Sequence, residues 1–92
     1  MHIVRIEHAV ADFETWKHAF DSDPVNRERS GVRRYRVMRA VDDPNYVMVD
    51  LEFDSSNEAE AMLAALRDLW SAVDVMRDPH GRIIKTVEVQ EY

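Results

Sequence analysis

Residues 2 to 10 alternate, with His2, Val4, Ile6, His8 and Val10 on one side and Ile3, Arg5 and Glu7 on the other. A period of two is that of a β-strand. Asp12 then stands where a helix N-cap is needed, and Phe13, Trp16 and Phe20 recur at i, i+3 and i+7, one aromatic stripe on a first helix. Pro24 breaks that helix near Ser22-Asp23, and the pattern predicts a restart as a short piece anchored by Val25. Gly31 suits its C-terminal cap, since glycine accepts the left-handed conformation there. From residue 32 to 40 the alternation returns, with Arg33, Tyr35, Val37 and Arg39 opposite Val32, Arg34, Arg36 and Met38.

The turn formers Val41-Asp42-Asp43-Pro44-Asn45 lead into a third alternating run from Tyr46 to Phe53, the pattern of a hairpin. Its apolar face is Val47, Val49, Leu51 and Phe53; Tyr46, Met48, Asp50 and Glu52 lie opposite. Ser55 and Glu58 have capping-box spacing ahead of a helical stripe of Ala59, Met62, Leu63, Leu66, Leu69, Trp70 and Val73, which predicts a second helix from Ser56 to Val75. Asp78-Pro79-His80-Gly81 reads as a stop, and Ile83 to Val89 as a last strand with Ile83, Val87 and Val89 on its apolar face.

The resulting order, β-α-β-β-α-β, is that of a ferredoxin-like α+β fold: an antiparallel four-stranded sheet with two helices on one face. No repeat or low-complexity segment interrupts it, and at 92 residues the chain is expected to be one domain, 1–92. The other sheet face mixes Ile3, Met38, Tyr46, Met48 and Ile84 with Arg5, Glu7, Arg34, Arg36, Asp50 and Glu52. Left to water it would expose a sizeable apolar group, so a second copy is expected to cover it. A domain this small buries only roughly 60 to 65% of its unfolded surface, which also favours a homodimer.

Composition narrows the partners. A net charge of −6 repels nucleic acid and anionic membranes, and with no cysteine there is neither a disulfide framework nor a thiolate metal site. The N-terminus has no apolar stretch long enough for a signal peptide or membrane span, so the cytoplasm is the expected compartment. Six of the twelve basic residues, Arg27, Arg29, Arg33, Arg34, Arg36 and Arg39, fall within thirteen positions, enough to hold an anion or to pair with acids elsewhere.

Several stretches together resemble the antibiotic-biosynthesis-monooxygenase-like proteins of the dimeric α+β barrel superfamily: Val10-Ala11-Asp12-Phe13-Glu14-Thr15-Trp16-Lys17, Phe20-Asp21, Arg27-Glu28, Ser30-Gly31-Val32, Tyr35-Arg36-Val37, Asp42-Asp43-Pro44-Asn45 and Leu51-Glu52-Phe53-Asp54. The likeness covers nearly the whole chain and is nearest to small members without assigned activity. It implies a homodimer whose two sheets face each other as a barrel, with small-molecule cavities at the sheet. Relatives include cofactor-free monooxygenases and cyclases acting on hydroxylated aromatic or polyketide-like molecules, and haem-degrading enzymes that use a histidine of the second helix. The second helix here has no histidine, which disfavours haem.

Cofactor-free oxygenation needs only a substrate that supplies its own electrons, a base and a dry pocket, so no cofactor is expected. Trp16, Tyr35, Tyr46 and Trp70 are the candidate walls of an aromatic pocket, although a Trp on an apolar helical stripe is more often plain core. Arg36, or its neighbour Arg34, is the candidate oxyanion partner; cross-strand pairing of both with Asp50 and Glu52 explains them without any ligand and is the favoured reading. His8, on the helix-facing side near the end of the first strand, is the candidate base, with a pKa poised for neutral pH. His2, His8, His18 and His80 lack the spacing of a metal site, and His18 and His80 read as solvated surface. The rival reading is a non-catalytic dimeric domain that binds a small metabolite or serves as an accessory subunit.

Overall fold

A computed structural model describes residues 1–72 and 76–92, with side chains from residue 78 onward in the second span. The elements are β1 (His2–Val10), α1 (Phe13–Asp21), β2 (Arg34–Arg39), β3 (Tyr46–Phe53), α2 (Ser56–Trp70) and β4 (Met76–Lys85). The sheet order is β2-β3-β1-β4 and every neighbouring pair is antiparallel. This is the ferredoxin-like α+β arrangement that the alternation and the helical stripes predict.

The helix starts follow from their caps. The Asp12 carboxylate accepts from the Thr15 amide at 2.9 Å, and the Ser55 hydroxyl accepts from the Glu58 amide at 3.2 Å, each satisfying a free N–H of a first turn. Both helices cover one sheet face. Trp16 of α1 and Ala59, Met62, Leu63 and Leu66 of α2 close over Val4, Ile6, Val47, Val49, Leu51 and Phe53, which are almost fully buried. Val73, expected to extend the α2 stripe, lies outside the described residues.

Two expectations are corrected. No helical piece follows Pro24: residues 24 to 31 form successive turns, because Asp23 and Asn26 both take left-handed φ values (54° and 52°) that an α-helix cannot absorb. Gly31 still closes the segment at φ 100°, with the Val32 amide donating to the Arg27 carbonyl. The last strand begins well before Ile83 and ends at Lys85. Asp78-Pro79 does not stop it but forms a bulge, since the register passes from Glu7↔His80 to Ala9↔Arg77 and leaves two residues opposite His8. Asp78 is left-handed (φ 50°), and Pro79 is tolerated because a bulge residue on an edge strand has no ladder N–H to donate. His80 therefore lies in a strand, not a turn. Val87 and Val89 are 95% and 78% exposed, because β1 starts at His2 and offers no strand for them to pair with.

On the open face, the registers build rows across β2, β3, β1 and β4. One row runs Arg34, Glu52, Ile3, Ile84 and the next runs Arg36, Asp50, Arg5, Arg82. Arg34 holds Glu52 through Nε and Nη2 (2.7 and 3.1 Å), the cross-strand pair expected. Asp50, however, is taken by Arg5 of β1, whose Nε and Nη2 donate to its two oxygens at 2.8 Å each. Arg36 is exposed and, among the described residues, forms no ion pair, and the same holds for Arg82.

Candidate functional site

Between α1, the turns that follow it, the sheet and the C-terminal half of α2 lies an apolar cavity of about 220 Å3. Ile6, His8, Val49 and Leu51 form its floor; Trp16, Ala19 and Phe20 of α1 and Leu66, Leu69 and Trp70 of α2 form its walls. Ser22, Pro24, Val25 and Arg27 close the remaining side. The break in the helix shapes this side of the cavity, since the turns after α1 supply Pro24, Val25 and Arg27 to its lining. Gly81 contributes by omission. It faces the helices beside Ile6, and a Cβ there would stand 2.7 Å from Leu63 Cδ1 and 3.0 Å from Trp70 Cη2, so glycine leaves the Trp70 ring its place.

An aromatic ladder runs along one wall. The His8 and Trp16 rings are 5.5 Å apart, Trp16 stacks on Phe20 at 5.2 Å, and the Arg27 guanidinium lies 3.9 Å from the Phe20 centroid. His8 and Arg27 are the titratable residues of the lining, one toward each end of this ladder. His8 is 2% exposed, and its Nδ1 is 3.3 Å from the Ala9 carbonyl. A carbonyl can only accept, so Nδ1 carries the proton of the neutral ring and Nε2 the lone pair. Burial pushes the His8 pKa below its ordinary 6.5, partly offset by that contact. The imidazole is thus held neutral, a weaker base than the neutral-pH poise expected of it.

The predicted residues separate into two groups. His8, Trp16 and Trp70 meet at the cavity. Tyr35 is on the same side of the sheet but stands outside the lining, 46% exposed, with its ring edge-on to Phe20 at 5.3 Å. Tyr46 and Arg36 belong to the open face, where the Tyr46 hydroxyl donates to Glu7 at 3.2 Å. A single pocket walled by all four aromatics is therefore not formed within one protomer, and Arg36 cannot work beside His8 across the thickness of the sheet. Arg34 is likewise on the open face. Among the described residues, no three His, Asp or Glu side chains converge as metal ligands.

Sequence reasoning gave Arg27 no site role, naming it only in an arginine-rich run and in the Arg27-Glu28 stretch of the family resemblance. The available signal was Asp23 four residues earlier: the Asp23 carboxylate accepts the Arg27 amide at 2.9 Å and stands 3.5 Å from its Nε. Arg27 also borders a wider outer groove with Glu28, Arg33, Arg34 and Tyr35, and so stands where cavity and groove meet.

No protein-family model matches the sequence, and no curated protein does. Solved structures do share its fold. A provisionally assigned antibiotic biosynthesis monooxygenase from Deinococcus radiodurans superposes with a TM-score of 0.65 at 13% identity, over 100% of this chain and 98% of its own. One of the same description from Nitrosomonas europaea gives 0.59 at 17% identity, over 96% of this chain and 100% of its own. Protein Atu4242 from Agrobacterium tumefaciens gives 0.65 at 16% identity, over 95% and 94%. At these identities the likeness is one of fold.

Proposed function

We propose that this chain is a homodimeric, cofactor-independent monooxygenase or cyclase whose site is the cavity beneath α1, acting on a small hydroxylated aromatic. The observation that carries the reading is an apolar, aromatic cavity with one neutral imidazole in its floor and one cation at its rim. In oxygenation, His8 Nε2 accepts the hydroxyl proton and the electron-rich ring reduces dioxygen. One oxygen atom becomes a ring carbonyl, the other leaves as water, and the substrate supplies all four electrons. A phenol, with pKa near 10, is a far weaker acid than the His8 imidazolium, which burial holds below 6.5, so this proton transfer is uphill. A more acidic hydroxyl must therefore help, since Arg27, the cation of the lining, stands at the other end of the aromatic ladder from His8.

The dimer reading is supported by the open face, where half-buried Ile3, Met48 and Ile84 sit beside Arg36 and Arg82, which form no ion pair among the described residues. A non-catalytic binding domain is the second reading. It is favoured by the same lining, which offers no second proton-transfer group beside His8.

The test is oxygen uptake with mono- and dihydroxynaphthalenes, alongside mass by light scattering. The expected results are one dioxygen consumed per quinone formed, a particle of twice 10.8 kDa, and a rate loss of about 100-fold or more in His8→Gln. Ligand binding without turnover supports the second reading, and an unchanged rate in His8→Gln removes His8 from the chemistry.

A further inference from the structure

We infer that Arg27 selects the ligand, and that the cavity takes a one- or two-ring aromatic bearing a carboxylate, its ring between Trp16 and Trp70 and its anionic end on the Arg27 guanidinium. This rests on the reading of the cavity as a small-molecule site.

Three observations lead there. The first is that Arg27 is a charged group largely removed from water, with a side chain only 12% exposed. A cation so placed normally has a close anionic partner. Its anionic partner is Asp23, whose Oδ1 forms a long i,i+4 ion pair with Nε at 3.5 Å and also accepts the Arg27 amide at 2.9 Å, so among the described residues the Nη end of the guanidinium faces no carboxylate.

The second is pre-organisation. The guanidinium lies against both the Phe20 and Tyr35 rings, 3.9 and 4.9 Å from their centroids, and Nη1 donates one N–H to the Phe20 carbonyl at 2.9 Å. That leaves one N–H of Nη1 and both of Nη2 without an acceptor among the described residues. Two N–H groups side by side match the two oxygens of a carboxylate, which a single phenolate oxygen cannot use.

The third is size and polarity. About 220 Å3 lies below the roughly 300–1,000 Å3 of pockets for drug-sized molecules, so one or two fused rings fit and a larger polycycle does not. Everything deeper than Arg27 is apolar apart from His8 and Ser22, so a second charge on the ligand would be left unpaired.

The probes are 2-naphthoate and its neutral methyl ester, titrated by calorimetry into wild type, Arg27→Gln and Arg27→Lys. Wild type should bind the acid at least about tenfold more tightly than the ester. Arg27→Gln should lose roughly 10- to 100-fold for the acid, the range of a charge-assisted pair, and under about threefold for the ester. Arg27→Lys should recover part of the loss, since it keeps the charge without the paired donors. Equal binding of acid and ester by wild type, or undiminished acid binding by Arg27→Gln, overturns the role of Arg27 while leaving the cavity as a binding site. Binding of neither naphthalene to wild type overturns both readings. If Arg27→Gln does not fold, the acid-to-ester ratio in wild type decides alone.

Discussion

Replacing Arg5 by methionine removes both donors from Asp50, whose side chain is only 6% exposed and is held at two distances of 2.8 Å. Breaking a fully buried ion pair costs about 3 to 5 kcal/mol, whereas an exposed one is worth at most about 1. Arg5 is itself 38% exposed, so water reaches one partner and the cost belongs between these limits, at about 2 kcal/mol. In a domain of this size that is a fall in midpoint of roughly 10 °C. Arg36→Met is the control, because Arg36 is also register-paired with Asp50, from the other side. Among the described residues it has no ion pair to lose, and its cost should stay within about 0.5 kcal/mol. Urea unfolding at several protein concentrations measures both effects and separates protomer stability from any contribution of association. In the double variant the two effects should add, since only Arg5 engages the carboxylate. Equal costs for the two single variants, or strong coupling between them, would refute the assignment of Asp50 to Arg5.

The buried imidazole gives a pH signature. His8 has its folded pKa held below 6.5, so between that pKa and 6.5 the unfolded chain binds the extra proton. Its contribution to stability is complete above about 6.5 and is lost as the pH falls toward the folded pKa. His8→Gln should therefore flatten the acid side of a stability–pH curve, and an unchanged slope in urea midpoints between pH 7.5 and 5 would count against a buried neutral His8. Gly81→Ala should cost about 1 to 3 kcal/mol by overpacking against Leu63 and Trp70, and should shift the tryptophan emission as the Trp70 ring is displaced. A variant as stable as wild type with an unmoved spectrum would show that the ring does not depend on the missing Cβ.

The element order was legible in the sequence because alternation and helical stripes are local consequences of which face is buried, and the caps at Asp12 and Ser55 depend on side chains within three residues of the free amides. The apolar walls of the cavity were legible for the same reason, since Trp16 and Trp70 lie on stripes that must meet the sheet. Pro79 and Gly81 were misread as a stop because their effect depends on being at an edge and opposite a neighbour, neither of which is encoded within a few residues. The choice of Arg5 over Arg36 as partner of Asp50 was equally hidden: both flank it in register, and only the three-dimensional path of each side chain settles which one reaches. Arg27 became a candidate only when the turns after α1 folded it back over Phe20, seven residues away in the chain. Periodicity thus determined the elements and their buried faces, because burial imposes a period along the chain. Tertiary structure alone decided which charges pair with which and which one is brought to the cavity, because that depends on distances between residues that sequence separation does not measure.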